Sequence, residues 1–205
     1  MPAGKKEHHH TGRIGWLRAA VHAGQKVLIH AGAGGVGHIA VQIAHAFGAQ
    51  VFATVSPDKT EIATRFGATA IDYKALALEE QLAKYTDGAG FDVVYDTVGG
   101  KTLDESFASV RRYTGHVLSC LGWGSHSLAP LSFRGATYSG VFTLLPLITG
   151  EGRAHHGEIL AAAAKLADEG KLTPLLSGER FDASTISQAY SLVASGSLGK
   201  VVVEF

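Results

Sequence analysis

The chain contains a single cysteine, Cys120, in 205 residues. One thiol excludes an intrachain disulfide framework and any CxxC zinc or iron–sulfur knuckle, and it fits a reducing compartment. An excess of one charge is also lacking: 18 Lys+Arg stand against 18 Asp+Glu. Neither nucleic acid nor an anionic membrane is therefore an expected partner, since both need a concentrated basic face. No apolar run is long enough to span a bilayer, and the N-terminus lacks the apolar core of a signal peptide. The expectation is a cytoplasmic protein. Metal-ligand patterns are missing as well. The eleven histidines include His8–His10 and His155-His156, but no HExxH or Cys/His spacing occurs. His38 and His45 fall about two turns apart on a predicted helix, too far for a helical ligand pair. No metal site is expected.

What is present is glycine, 26 residues of it, and a hydrophobic share of 46%. That suffices for one domain with a substantial core and part of a second. Residues 1–16 lack apolar periodicity and read as a mobile leader. Thereafter β-branched runs alternate with amphipathic segments: KVLIHA, a helix to about Phe47, QVFATV, PDKTEIATRFG, ATAIDY, LALEEQLAKYTD, FDVVYDTV, a helix near 102–110, and GHVLSCLG. The alternation predicts an α/β fold with a doubly wound parallel sheet, because parallel strands need crossovers that cover both faces. Residues 136–145, ATYSGVFTLL, read as a sixth strand at the sheet edge. Beyond 150 the rhythm changes to an Ala-rich helix near 156–169, an extended KLTPLL, a helix opened by Ser184 as N-cap, and a terminal VVVEF. These extended pieces have no obvious antiparallel partners.

The first strand runs into Gly32-Ala33-Gly34-Gly35-Val36-Gly37, a GxGxxG at Gly32, Gly34 and Gly37. The first glycine permits the tight turn, the second lets backbone approach a pyrophosphate, and the third lets the following helix pack close to the strand. Phosphate oxygens would rest on N–H groups at the helix N-terminus. The strand before it and the helix after it, terminated by Gly48, supply the context that a bare glycine pattern lacks. The second strand ends in Val55 and is followed by Ser56, so no acid stands where one would hold a ribose 2′-OH. Ser56, Lys59 and Tyr73 can instead surround a 2′-phosphate, which favours NADP(H). The competing residue is Asp58, whose alternative role is that of an acid at a helix start. Two decoys fail. Gly99-Gly100-Lys101-Thr102 would need glycine at position 95, where Tyr95 stands, and Ser125 does not satisfy GxSxG.

The run from KVLIHAGAGGVGHIAVQIAHAFG through FDVVYDTVGG to GHVLSCLG resembles the cofactor domain of the medium-chain dehydrogenase/reductase superfamily, above all its zinc-independent quinone oxidoreductase (zeta-crystallin-like) branch. The resemblance extends from about residue 17 to the C-terminus. It implies a Rossmann domain over 17–150, and over 151–205 helices and strands that rejoin a substrate-binding domain. It also implies that Gly34, Gly35 and Val36 face the pyrophosphate and that Thr97 and Val98 line the adenosine side. Cys120, Leu121 and Gly122, with 141–143 (Val141 and Thr143 included), would approach the nicotinamide end. Gly199 and Lys200 would also approach the cofactor. The glycine after the fifth strand is displaced to Gly122, a departure from the family pattern. Family members carry most of their substrate domain ahead of the matched segment, so the resemblance implies a truncated, fused or frameshifted reductase.

The expected activity is hydride transfer from NADPH to a quinone or unsaturated carbonyl, with no catalytic residue assignable. The alternative is an NADP(H)-binding module without turnover. A homodimer through the edge strand near 136–145 is expected, since exposed strand edges tend to pair.

Overall fold

A computed structural model describes residues 19–205. The leader expected over 1–16 lies outside the described residues. Six parallel strands form the main sheet: β1 (Lys26–Ile29), β2 (Gln50–Val55), β3 (Ala68–Asp72), β4 (Val93–Asp96), β5 (His116–Ser119) and β6 (Thr137–Gly140), in the order β3-β2-β1-β4-β5-β6. The chain winds outward from β1 in one direction, returns to β4, and winds outward in the other. The crossovers are α1 (Gly37–Ala46), a short 3₁₀ turn at Pro57–Lys59 followed by α2 (Thr60–Arg65), α3 (Leu78–Thr86), α4 (Lys101–Ser109) and α5 (Ala129–Arg134). The sequence had suggested no helix for α5.

Alternation along β1 explains the two-sided core. Val27 and Ile29 pack with Val41, Ile43 and Ala44 of α1, while Leu28 faces Leu103 and Phe107 of α4 with Phe52, Phe91 and Val94. A strand buried on both faces must be apolar throughout, which is how KVLI and QVFATV read. Burying a large side chain stabilises by roughly 1.5–3 kcal/mol, and Phe91 and Phe107 are both only about 0–1% exposed. Gly48 ends α1 at φ +79°, with its N–H donating to the His45 carbonyl.

The C-terminal part departs from expectation in three places. The edge strand stops at Gly140, and Leu144–Thr149 is helix α6 with no buried residue. After α7 (Arg153–Asp168), the segments β7 (Leu176–Asp182) and β8 (Lys200–Glu204) pair with each other in parallel. They are parallel rather than antiparallel neighbours because the crossover α8 (Ile186–Ala194) joins them into a small β-α-β unit. Ser184 is not the N-cap of α8. Thr185 occupies that position, and the Ser184 hydroxyl donates to the Asp182 carboxylate at 2.6 Å.

Candidate functional site

All six main strands point their carboxyl ends to one edge, and the order reverses between β1 and β4. Loops there diverge and leave a crevice, the usual ligand position in such sheets. A cleft of about 520 Å³ opens at that edge, and its walls include Gly34, Ser56, Lys59, Tyr73 and Val98. Four elements thus bring five of the sequence-predicted residues to one space.

The glycine loop is held close on both sides. A Cβ on Gly32 would collide with Ala53 of β2, and one on Gly37 with the Ala31 carbonyl. Ala31 itself adopts φ +51°, the left-handed region. Helix α1 starts with no side-chain cap and no acid in its first turn. Its dipole and leading N–H groups therefore favour an anion. Lys200, at the start of β8, brings its Nζ to 3.1 Å from where a Cβ on Gly35 would stand. Val36 is exposed beside it.

At the β2 end, Ser56 and Lys59 are half-buried and Tyr73 is exposed, with the Lys74 ammonium 5.5 Å from its ring centre. Asp58 does not line the cleft. It is exposed, and the Ser56 hydroxyl, aided by the Lys59 and Lys74 ammoniums, holds its carboxyl below the usual range. Its role as a helix-start acid fits that position.

Three further features escaped sequence reasoning. The first is His30, the residue after β1, which is 8% exposed and lines the cleft. Its N–H donates to the Tyr95 carbonyl, its carbonyl accepts from Thr97 Oγ1 at 2.7 Å, and its Nδ1 lies 3.2 Å from Thr54 Oγ1. Its Nε2 finds no hydrogen-bond partner among the described residues. Burial drives its pKa down to about 4, against the pull of Asp96 and Glu105. The ring is therefore neutral at physiological pH.

The second is Asp96, fully buried at the end of β4. Its Oδ1 accepts from the Val98 and Gly99 N–H groups at 3.1 and 2.9 Å, and its Oδ2 accepts from Ser119 Oγ at 2.6 Å. One carboxylate thus fixes the Thr97-Val98 turn and ties it to β5. The third is the tie between α1 and the C-terminal part through His38 and Gln42, both buried. The only advance signal for any of the three was polarity in otherwise apolar runs, as in VVYD and VLIH.

Cys120, Leu121, Gly122, Val141 and Thr143 do not line the cleft. They follow β5 and β6 at the same sheet edge. The Cys120 thiol lies 3.8 Å from the Asp96 carbonyl, and burial pushes its pKa up. Burial likewise raises the pKa of the Tyr95 phenol, with the Cys120 thiol beside it adding to the rise. The Leu121 N–H donates to Ser119 Oγ, the Val141 N–H donates to the Ser119 carbonyl, and a Cβ on Gly122 would collide with the Tyr138 hydroxyl. Thr143 is exposed at the start of α6. Gly99-Gly100 forms the strand-to-helix turn into α4.

With this geometry in hand, known proteins give a consistent picture. A family model described as zinc-binding dehydrogenase matches residues 35–151. An alcohol dehydrogenase superfamily protein from Novosphingobium aromaticivorans superposes with a TM-score of 0.86 at 51% identity, over 91% of this chain and 58% of its own. A quinone oxidoreductase from Pseudomonas syringae pv. Tomato DC3000 superposes with a TM-score of 0.75 at 27% identity, over 90% and 57%. Mycoketide-CoA synthase of Mycobacterium tuberculosis is 36% identical over 160 residues, which is 77% of this chain and 4% of that protein. The chain spans little more than half the length of these solved structures and a small fraction of the synthase.

Proposed function

The chain belongs to the zinc-binding dehydrogenase family within the medium-chain dehydrogenase/reductase superfamily, and from that premise we propose that it binds NADP(H) and serves hydride transfer to a quinone or unsaturated carbonyl. The observation that carries the reading is the convergence of Gly34, Ser56, Lys59 and Tyr73 on one cleft, from which Asp58 is excluded. A hydroxyl, an ammonium and an exposed aromatic wall suit a 2′-phosphate, and the carboxylate that does line the cleft, Glu105, comes from α4 rather than from the β2 end and is paired with Lys101 at 3.3 Å.

The residues fit a dinucleotide. Gly34, Gly35 and Val36 at the uncapped start of α1 would hold the pyrophosphate, with Lys200 opposite. Thr97 and Val98, fixed by Asp96, would flank the adenosine, and the end formed by Cys120–Gly122 and Val141–Thr143 is assigned to the nicotinamide. The bound nicotinamide supplies the hydride; the protein orients it and excludes water. Although the family is named for zinc, no three His, Cys, Asp or Glu side chains converge as a metal site among the described residues, so no step is derived through a metal.

In the same reading, residues 17–150 form the cofactor domain and 151–205 rejoin a substrate-binding domain. The exposed surfaces of α6 and of β7 and β8 suit such packing. The outer edge of β6 would pair two copies about a two-fold axis, and a strictly monomeric mass in solution would count against that. No helix among the described residues is long and apolar enough to cross a membrane, and a cytoplasmic setting fits the lone thiol.

Calorimetric titration with NADPH and with NADH tests the reading. The expected result is tighter binding of NADPH, with the preference lost in Lys59→Glu. Equal affinity for both dinucleotides would overturn the 2′-phosphate site. Turnover of small quinones or enones would establish a reductase, and binding without turnover would assign the chain the role of a cofactor-binding module.

A further inference from the structure

His38 sits in the first turn of α1, 1% exposed, with its ring centre 5.9 Å from that of Phe66. Its two ring nitrogens face opposite kinds of partner. Nδ1 lies 2.7 Å from the Gly34 carbonyl, and Nε2 lies 3.0 Å from the Leu175 backbone nitrogen. A carbonyl can only accept and an amide N–H can only donate. Nδ1 must therefore carry the proton and Nε2 must be bare, which makes the ring neutral with one defined tautomer.

The chain of bonds continues past Leu175. Its carbonyl accepts the Lys200 N–H at 2.7 Å, and the Lys200 side chain returns to Gly35, next to the residue where the path began. Gly199 makes the approach feasible. It adopts φ +87°, and a Cβ there would stand 2.7 Å from the Leu176 carbonyl carbon. One turn along α1, Gln42 repeats the tie, accepting the Thr173 N–H at 2.8 Å and donating to the Thr173 carbonyl at 3.0 Å. The segment that precedes β7 is thus fastened to the helix that carries the glycine loop.

We propose that His38 is a positioning residue: the circuit Gly34–His38–Leu175–Lys200 holds the Lys200 ammonium over the glycine loop, so that an anion bound there meets a fixed cation as well as the head of α1. The inference rests on the reading of the loop as a diphosphate site. His38 itself touches no ligand and acts through Lys200. The circuit fixes the backbone from which the exposed Lys200 side chain reaches the loop, whereas an undocked strand would first have to be ordered before the ammonium could meet a phosphate.

A double-mutant cycle on the full chain tests this, with NADPH affinity measured by calorimetry for wild type, His38→Phe, Lys200→Met and the double variant. Each single change is expected to weaken binding by about fivefold, the scale of one partly exposed ion contact. The double variant should be no weaker than Lys200→Met, because the two residues act as one unit. Both single variants should also lose the same part of the salt dependence of binding. Losses that multiply in the double variant would overturn the proposal.

Amide exchange in the ligand-free chain gives an independent readout. The Leu175 and Lys200 amides should be protected in wild type and in Lys200→Met, and exposed in His38→Phe. If His38→Phe does not fold, His38→Gln, whose amide oxygen can accept from Leu175, replaces it, with partial protection and partial affinity expected. If wild type binds neither dinucleotide, the proposed function falls, and exchange alone then decides the role of His38: unchanged Leu175 and Lys200 protection in the His38 variant overturns it.

Discussion

The neutral, buried imidazole of His30 makes the stability of this protein depend on pH in a calculable way. In the unfolded chain the ring titrates near 6.5, whereas in the fold burial lowers that value to about 4. Between these values the unfolded state binds a proton that the folded state refuses, so stability is intact above pH 6.5 and declines as pH falls towards 4. At pH 5 the unfolded ring is 1.5 units below its pKa while the folded ring is still neutral, which amounts to about 2 kcal/mol lost relative to pH 8. Other groups titrate in the same range, so the measurement must be a difference. Urea denaturation of wild type and His30→Phe at pH 8 and pH 5 isolates the contribution. The variant should be less stable at pH 8, having lost the Thr54 contact, yet its further loss at pH 5 should be smaller than wild type's by about 2 kcal/mol. Parallel declines in the two proteins would refute the assignment of a depressed pKa to His30.

The remaining predictions concern the turns around the cleft. Ala31→Gly should raise stability by about 0.5–1 kcal/mol, since alanine resists φ +51° and glycine does not, partly offset by the freer unfolded chain; thermal unfolding measures it. Asp96→Ala should destabilise by about 3 kcal/mol, because two backbone N–H groups and the Ser119 hydroxyl lose their acceptor together, and faster amide exchange at Val98 and Gly99 should accompany it. His126 is hydrogen-bonded to the Asp104 carboxylate at 2.8 Å, which raises its pKa, so the clasp is full below the ordinary histidine value and is lost as pH rises through the raised one. Asp104→Asn should return the His126 titration towards its ordinary position by NMR; an unmoved titration would contradict the pairing.

Much of the sheet was legible because β-branched runs buried on both faces have no other stable form, and KVLI, QVFATV and VVYD stand within a residue or two of where the pattern puts them. The glycine loop was legible for a similar reason, since Gly32 and Gly37 face backbone and Ala53 with no room for a side chain. What escaped was non-local. The helix between β7 and β8 was legible, but their parallel pairing was not, because local periodicity does not say which strand lies beside which. The range 136–145 read as one strand because its residues are β-prone, but pairing with β5 ends at Gly140 and Pro146 sits within the helix that follows. His30 and Asp96 looked like polar interruptions at strand ends. Their meaning lies in Thr54, Glu105 and Ser119, residues 23 to 75 positions away, which local periodicity cannot register.

The bond between Leu175 and His38 closes a span of 137 positions. Contacts of such separation carry a large closure entropy and form after local ones, so the βαβ halves can assemble while the loop between β1 and α1 still lacks its lysine. Refolding followed by ligand binding should therefore lag behind refolding followed by backbone signals. The surroundings of the glycine loop would be the last part of the molecule to mature, and any species that folds without docking its final strand would have the main sheet complete while Lys200 stood away from Gly35.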